Sequence, residues 1–434
     1  MFVACGAETS APRNLLLVSL DTTRLDHLST YGYPRPTAPH LDRLAHDGVV
    51  FRNALSQWTA TNPSHTSMFT GLPHVHGVGT NTARLPEELL TLAEILSSAG
   101  LRTGAFVSGY TMRSGKTGID RGFDVYDSHF DGTRRDGRKT GELAIEWLES
   151  LQSDERWFLF LHLYDAHGPY RGDGRYLDLF RSEERGPRLK YIPEYQLRHD
   201  DTGRPLRHLN DYIDRYDAEI RYQDEVMGDV LAALDLSRTL VVVVADHGET
   251  LDERSKSKNL SHATGVHDEQ IRIPFVVHSP GIEPASYREV VETVDILPTV
   301  LELLEIAPPS GDAIQAESLV PLLRGRRQER LDSLGFSAVW ARQHWQDKDR
   351  SIQSVRSRRW KLVFYPGIEA DRVRLFDLAE DPGEHVDVGD GNPEIRDRLL
   401  AELEAWHGTN GARAEEVDLT PEEIENLKAL GYLN

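Results

Sequence analysis

One cysteine in 434 residues rules out an internal disulfide in any compartment. No apolar run is long enough to span a bilayer, so a transmembrane segment is excluded from this stretch of chain. Cations are scarce: 49 Lys and Arg stand against 70 Asp and Glu, a net charge of -21 spread along the chain. That balance speaks for solubility and against nucleic acid as a substrate, while leaving room for a locally basic pocket. There is no internal repeat and no low-complexity tract.

What is present is a set of chemically active residues at the ends of apolar runs. Leu15 to Leu20 leads into Asp21, and Leu240 to Ala245 leads into Asp246 and His247. Both runs are continuous rather than alternating, as strands covered on both faces are. Carboxylates at such strand ends face the ligand crevice of an open α/β sheet. Pro63 and the residues after it place Thr61 at the start of a helix, whose free N–H groups would stabilise an alkoxide and a bound oxyanion. Asp21, Asp246, His247 and the Thr61 hydroxyl together read as a hard-cation or zinc site with a candidate nucleophile.

Along the chain, strands and helices alternate through the first half. Leu89 to Leu96 reads as an amphipathic helix closed by Gly100, Thr103 to Ser108 as a strand, Glu142 to Leu151 as a helix and Trp157 to Leu163 as a strand. This rhythm predicts a mostly parallel sheet with helices on both faces. Residues 171–207 break it and read as a substrate-facing insertion, with a plain surface loop as the alternative. Asn210 to Leu234 is a long helix. After Gly325 the pattern changes: 351–365 and 372–378 alternate as antiparallel strands do, and Glu394 to Trp406 is helical, giving a small α+β subdomain. The tail beyond is acidic and ends in a short apolar helix expected to dock on the body.

Three stretches carry a resemblance to a known family. Ser19-Leu-Asp-Thr-Thr-Arg-Leu-Asp-His27 and Thr61-Asn-Pro-Ser-His-Thr-Ser-Met-Phe-Thr-Gly71 resemble the N-terminal signatures of the sulfatase family, within the alkaline phosphatase superfamily. Asp246-His-Gly-Glu249 resembles its third, and shorter matches at Gly122-Phe-Asp124, Asp295-Ile-Leu-Pro298 and Asp381-Pro-Gly-Glu384 follow in family order. The resemblance implies an alkaline-phosphatase-like fold: a catalytic domain over 13–330, a small α+β subdomain over 331–410 and a tail over 411–434. It also implies a divalent metal held by Asp21, Thr61, Asp246 and His247, manganese or zinc first and calcium as a further option. His167 and His262 match family positions for contact with the transferred anionic group or protonation of the leaving group. Arg24 and His65 are further candidates for anion contact. Glu249 reads as a brace for the loop, and His162 as a packing residue. Asp165 and His167, two residues apart, would share a side of an extended segment; with His262 they offer a second metal site as the alternative to a single one. The nearby His74 and His76 read as ordinary surface or structural residues.

Two departures bear on the substrate. Family members that cleave sulfate carry Cys or Ser where this chain has Thr61, oxidise it to formylglycine, and place Arg where this chain has His65. Oxidising a threonine would give a ketone, so no formylglycine is expected. A sulfated Thr61 lacks the second hydroxyl needed to eject sulfate by elimination, whereas water resolves a phosphorylated one. Thr22 stands where many sulfatases place a second metal-binding Asp, which favours a one-metal site. The first expectation is therefore a hydrolase of phosphate mono- or diesters, or a phosphoryl transferase, working through Thr61 on a small anionic ester. The alternatives are a sulfuric ester hydrolase with an unmodified Thr, and an inactive anion-binding member of the family. Phe2-Val-Ala-Cys-Gly6 resembles the end of a bacterial lipoprotein signal. It implies export to the periplasm or cell envelope with a lipid anchor at Cys5 and residues 1–12 as the remnant; a free thiol in a cytoplasmic protein is the alternative.

Overall fold

The computed structural model describes residues 11–430 except 74–80, 82, 173, 201, 255–259, 310–313, 326–332, 341–350, 366–372, 408–414, 417 and 418. Cys5, His74, His76, the last four residues and the expected domain boundaries near 330 and 410 lie outside the described residues. In chain order the strands are β1 (Asn14–Leu20), β2 (Val49–Leu55), β3 (Ala83–Arg84), β4 (Arg102–Val107), β5 (Val125–Asp127), β6 (Trp157–Leu163), β7 (Thr239–Val244), β8 (Arg272–His278), β9 (Ala285–Glu292), β10 (Gly335–Trp340), β11 (Ser351–Arg356), β12 (Trp360–Phe364), β13 (Val373–Asp377) and β14 (Glu415–Glu416).

Eight of them form one sheet in the order β5-β4-β6-β1-β7-β8-β2-β9. All its pairings are parallel except those of β8, which runs against both β7 and β2. The continuous apolar runs follow from cover on both faces. Leu15 and Leu17 pack into one core with Phe158 and Phe160, while Leu16, Val18 and Leu20 pack into another with Leu159 and Leu161.

The helices lie where their sequence signals put them, with ends set by caps. The helix expected from Leu89 begins at Leu92, because Thr91 accepts from the Glu94 N–H while the Glu94 carboxylate accepts from the Thr91 N–H. Helix Gly137–Ser150 lies so close on β4 that a Cβ added at Gly104 would stand 2.7 Å from Trp147 Cε2. Gly104→Ala is therefore expected to destabilise the fold by about 1–3 kcal/mol, read as a lower denaturant midpoint with an unchanged slope. An unchanged midpoint would show that Trp147 swings aside freely.

The segment 171–207 is not a bare loop. It contains the helix Gly174–Phe180, whose Tyr176 and Phe180 are buried against the long helix Leu209–Ala232. Further on, Tyr195 Oη and Gln196 Nε2 both donate to the Leu260 carbonyl, at 3.1 Å each. The insertion thus braces the loop that carries His262.

The second sheet is antiparallel, in the order β10-β11-β12-β13, with helix Pro393–His407 laying Leu399, Leu403 and Trp406 across it. It joins the first half at Trp58, which bridges to Ala338, and at Ser56, whose carbonyl accepts from Ser337 at 2.6 Å. Helix Pro421–Ala429 docks as expected: Leu427 and Leu430 pack on Tyr110 and Tyr164. No described helix is long and apolar enough to cross a membrane.

Candidate active site

The sheet order sets β6, β1 and β7 side by side, so their C-terminal ends bring His162, Asp21 and Asp246 together from far apart in the chain. Asp21, Asp246 and His247 each offer a ligand atom, and these atoms lie within 4.8 Å of one another with all three side chains fully buried. Asp246 Oδ1 accepts from the N–H groups of Thr22 (3.1 Å) and His247 (2.8 Å). His247 Nδ1 donates to the Gly248 carbonyl at 2.9 Å, which leaves Nε2 with the lone pair, 3.5 Å from Asp246 Oδ2.

Three atoms of this group, Asp21 Oδ1, Asp246 Oδ2 and His247 Nε2, are buried without a hydrogen-bond partner. Leaving a buried polar atom unsatisfied costs roughly 1–3 kcal/mol, and more for a charged one. Burial, then the neighbouring Asp246, pushes Asp21 well above the usual carboxylate range. Asp246 is held low against the pull of burial, with the Thr22 N–H that donates to it among the causes. Two buried carboxylates and an imidazole lone pair converging without partners fit a divalent cation, which would neutralise and saturate them at once.

Thr61 is the first residue of helix Thr61–Thr70, whose N-cap is Ala60. Its hydroxyl therefore caps nothing. Oγ1 lies 3.4 Å from Asp21 Oδ2, facing the carboxylates, at the positive end of a fully buried helix. Ser64 ties that helix to the site from below by donating to the Asp246 carbonyl at 2.6 Å.

The structure corrects several sequence expectations. His65 does not reach outward as an anion contact: Nδ1 donates to the Thr61 carbonyl at 2.7 Å and Nε2 accepts from Ser19 at 2.8 Å. Burial holds its pKa down, consistent with a neutral ring that positions Thr61 against β1. The Arg24 guanidinium is committed to Asp26, Glu253 and the Glu249 carbonyl, at 2.6–3.0 Å. Asp165 and His167 diverge. A turn in which the His167 N–H donates to the Tyr164 carbonyl ends the extended run, and Asp165 accepts instead from Gly137. Among the described residues no second metal cluster forms from Asp165, His167 and His262.

His167 and His262 do meet, with ring centroids 4.9 Å apart, and His262 lies 4.6 Å from the His247 ring. Glu249 braces His262 through Nδ1 at 3.3 Å, and His167 stacks on Tyr164 at 4.2 Å. Burial, then the neighbouring His262, drives His167 well below its ordinary value. Sequence reading missed His162. Its Nε2 stands 3.1 Å from Asp21 Oδ2, in a ring pushed down to about 3 by burial. No local pattern marked it, because what brings it beside Ser19 is the β1–β6 register between strands far apart in the chain.

Comparison with known proteins decides the lineage. Residues 13–306 match the Sulfatase family model. The chain belongs to the sulfatase family. Within this family, residues 263–407 also match the C-terminal model of N-sulphoglucosamine sulphohydrolase. The chain is similar to a Delta 4,5-hexuronate-2-O-sulfatase of Bacteroides thetaiotaomicron, 26 % identical over 92 % of this chain and 89 % of the relative. It is similar to human arylsulfatase A at 25 % identity, covering 92 % of this chain and 87 % of the relative. The phosphonate monoester hydrolase of Agrobacterium radiobacter shares its fold, with a TM-score of 0.72 at 20 % identity over 95 % of this chain and 99 % of that one.

Proposed function

We propose that this sulfatase-family chain hydrolyses an anionic ester by attack of Thr61, with Asp21, Asp246 and His247 the residues that would hold a divalent metal beside it. The observation that carries this reading is the Thr61 hydroxyl on Asp21 Oδ2 at 3.4 Å, beside a carboxylate–carboxylate–imidazole group that keeps three buried ligand atoms unpartnered. A bound divalent cation would lower the pKa of the hydroxyl and neutralise the anionic group. The chain's own residues do the rest. The helix start holds the ester oxygens, His65 fixes Thr61, and His167 and His262 exchange the proton of the leaving group. Attack of Thr61 Oγ1 on the central atom breaks the bond to the alcohol oxygen, and the proton that Thr61 gives up passes through a histidine to that departing oxygen; water then attacks the central atom of the Thr61 ester, leaves its proton on Oγ1 and regenerates the hydroxyl.

The relatives favour a sulfuric ester as substrate over the phosphoester that residues 61 and 65 led us to expect. The phosphoester stays as a second reading on one observation: Thr61 carries a single hydroxyl and His65 is spent on backbone and Ser19. An aryl sulfate and the matching aryl phosphate mono- and diesters, assayed side by side, separate the two through kcat/KM. On the family reading the sulfate is turned over at least about tenfold faster. The reverse order would return the assignment to phosphate, and mass spectrometry is expected to find unmodified threonine at position 61. Export with a lipid anchor at Cys5 belongs to the same proposal and rests on the sequence around that cysteine.

A further inference from the structure

A cavity of about 1040 Å³ lies between the large sheet and the small one, walled by Arg52 of β2, Arg272 of β8, Arg288 of β9 and Arg358 of the β11–β12 turn. Its four carboxylates are already paired. Asp26 and Glu253 bind Arg24 at 2.7 and 2.6 Å, Glu269 binds Arg254 at 2.7 Å, and Asp268 binds Arg356 and Lys361 at 3.1 and 3.0 Å.

The four wall arginines have no carboxylate among the described residues within ion-pair reach. Two of them are nonetheless held in place by neutral groups. Arg272 donates through Nε and Nη2 to the Arg52 carbonyl, at 3.1 and 2.7 Å. Arg52 donates to Ser286 Oγ and to the Thr30 carbonyl, at 3.0 Å each, and lies over the Tyr31 ring. Guanidinium groups fixed by neutral acceptors keep their remaining donors for a ligand. In a chain of net charge -21 such a concentration of unpaired cations repels itself until an anion enters. The volume is at the upper end for ligand pockets and exceeds what one tetrahedral oxyanion fills.

We propose that this cavity is a second binding site, apart from Thr61, for a small oligoanion carrying sulfate or phosphate groups. Neither the metal nor catalysis is needed for it, so it stands or falls independently of the proposed hydrolysis.

Calorimetric titration of the full chain, kept in chelator so that the Thr61 site holds no cation, tests this with four probes: sucrose octasulfate, tripolyphosphate, inorganic sulfate and inorganic phosphate. One of the two oligoanions is expected to bind one to one, at least about tenfold tighter than either inorganic ion. The tighter of the two identifies the group recognised. The triple variant R52Q/R288A/R358A should weaken that binding about tenfold or more, R52K/R288K/R358K should largely restore it, and turnover of a small aryl ester should stay within about twofold. Should the triple variant fold poorly, R288A/R358A changes only exposed side chains and should still weaken binding several-fold. Equal affinity for oligoanions and inorganic ions, no binding of either oligoanion, or wild-type affinity in the alanine variants would each overturn the proposal.

Discussion

Replacing Thr61 by alanine is expected to lower kcat by about three orders of magnitude or more while leaving substrate affinity nearly intact. The change removes Oγ1, whose single described partner is Asp21 Oδ2 at 3.4 Å. It disturbs little else, because Ala60 provides the helix cap and the Thr61 carbonyl still receives His65. Alanine is also a good helix former, so the buried helix keeps its first turn. Thr61→Ser keeps the oxygen and should retain activity within about tenfold of wild type. Single-turnover measurements with the wild type should show a burst and a mass increment on Thr61. Wild-type turnover in Thr61→Ala would mean that water attacks the ester directly and that Thr61 only lines the site.

Removing the cation should have an effect of similar size. Exhaustive chelation is expected to bring turnover to background, with manganese or zinc restoring it, because Asp21 and Asp246 then face each other fully buried with no counter-charge to hold the ester anion. Asp246→Asn is the sharper test. It keeps Oδ1 as the acceptor for the Thr22 and His247 N–H groups but replaces the unpartnered Oδ2 with a neutral amide. Metal affinity should fall at least about a hundredfold, read by equilibrium dialysis, while thermal stability without metal is unchanged or rises. Full activity in a preparation verified to be metal-free would rule out the mechanism.

Much of this was legible in the sequence. Strands covered on both faces leave continuous apolar runs, and the polar residue ending each run is conspicuous, which is why Asp21, Asp246 and His247 were found. Thr61 was legible through Pro63, which fixes the start of a helix. The rest depended on pairings that no local pattern encodes. His162 reaches Asp21 because β6 lies in register with β1, and sequence periodicity carries no register between strands far apart in the chain. His65 sits at a position where substrate contact was expected, yet the turn of its own helix brings the ring to the Thr61 carbonyl four residues back. Asp165 and His167 share a parity that matters only while the backbone stays extended, and the turn after Leu163 ends that. Arg24 looked available although Asp26 stands two positions on, because the other groups that hold it, Glu253 and the Glu249 carbonyl, lie 229 and 225 positions away.

The central place of β1 has a consequence for how the protein is made. Its two neighbours are β6 and β7, whose partner residues lie 143 and 225 positions downstream, so the crevice closes only after two long loops of the chain have closed. Contacts of such sequence separation form slowly, and chains of this length pass through partly folded states on the way. A nascent chain that has not yet delivered Asp246 and His247 holds Asp21 and Thr61 without the other half of their site. Hydrolytic competence is therefore acquired late, in the final assembly of the sheet, and its recovery reports on that last step rather than on the earlier collapse of the helices.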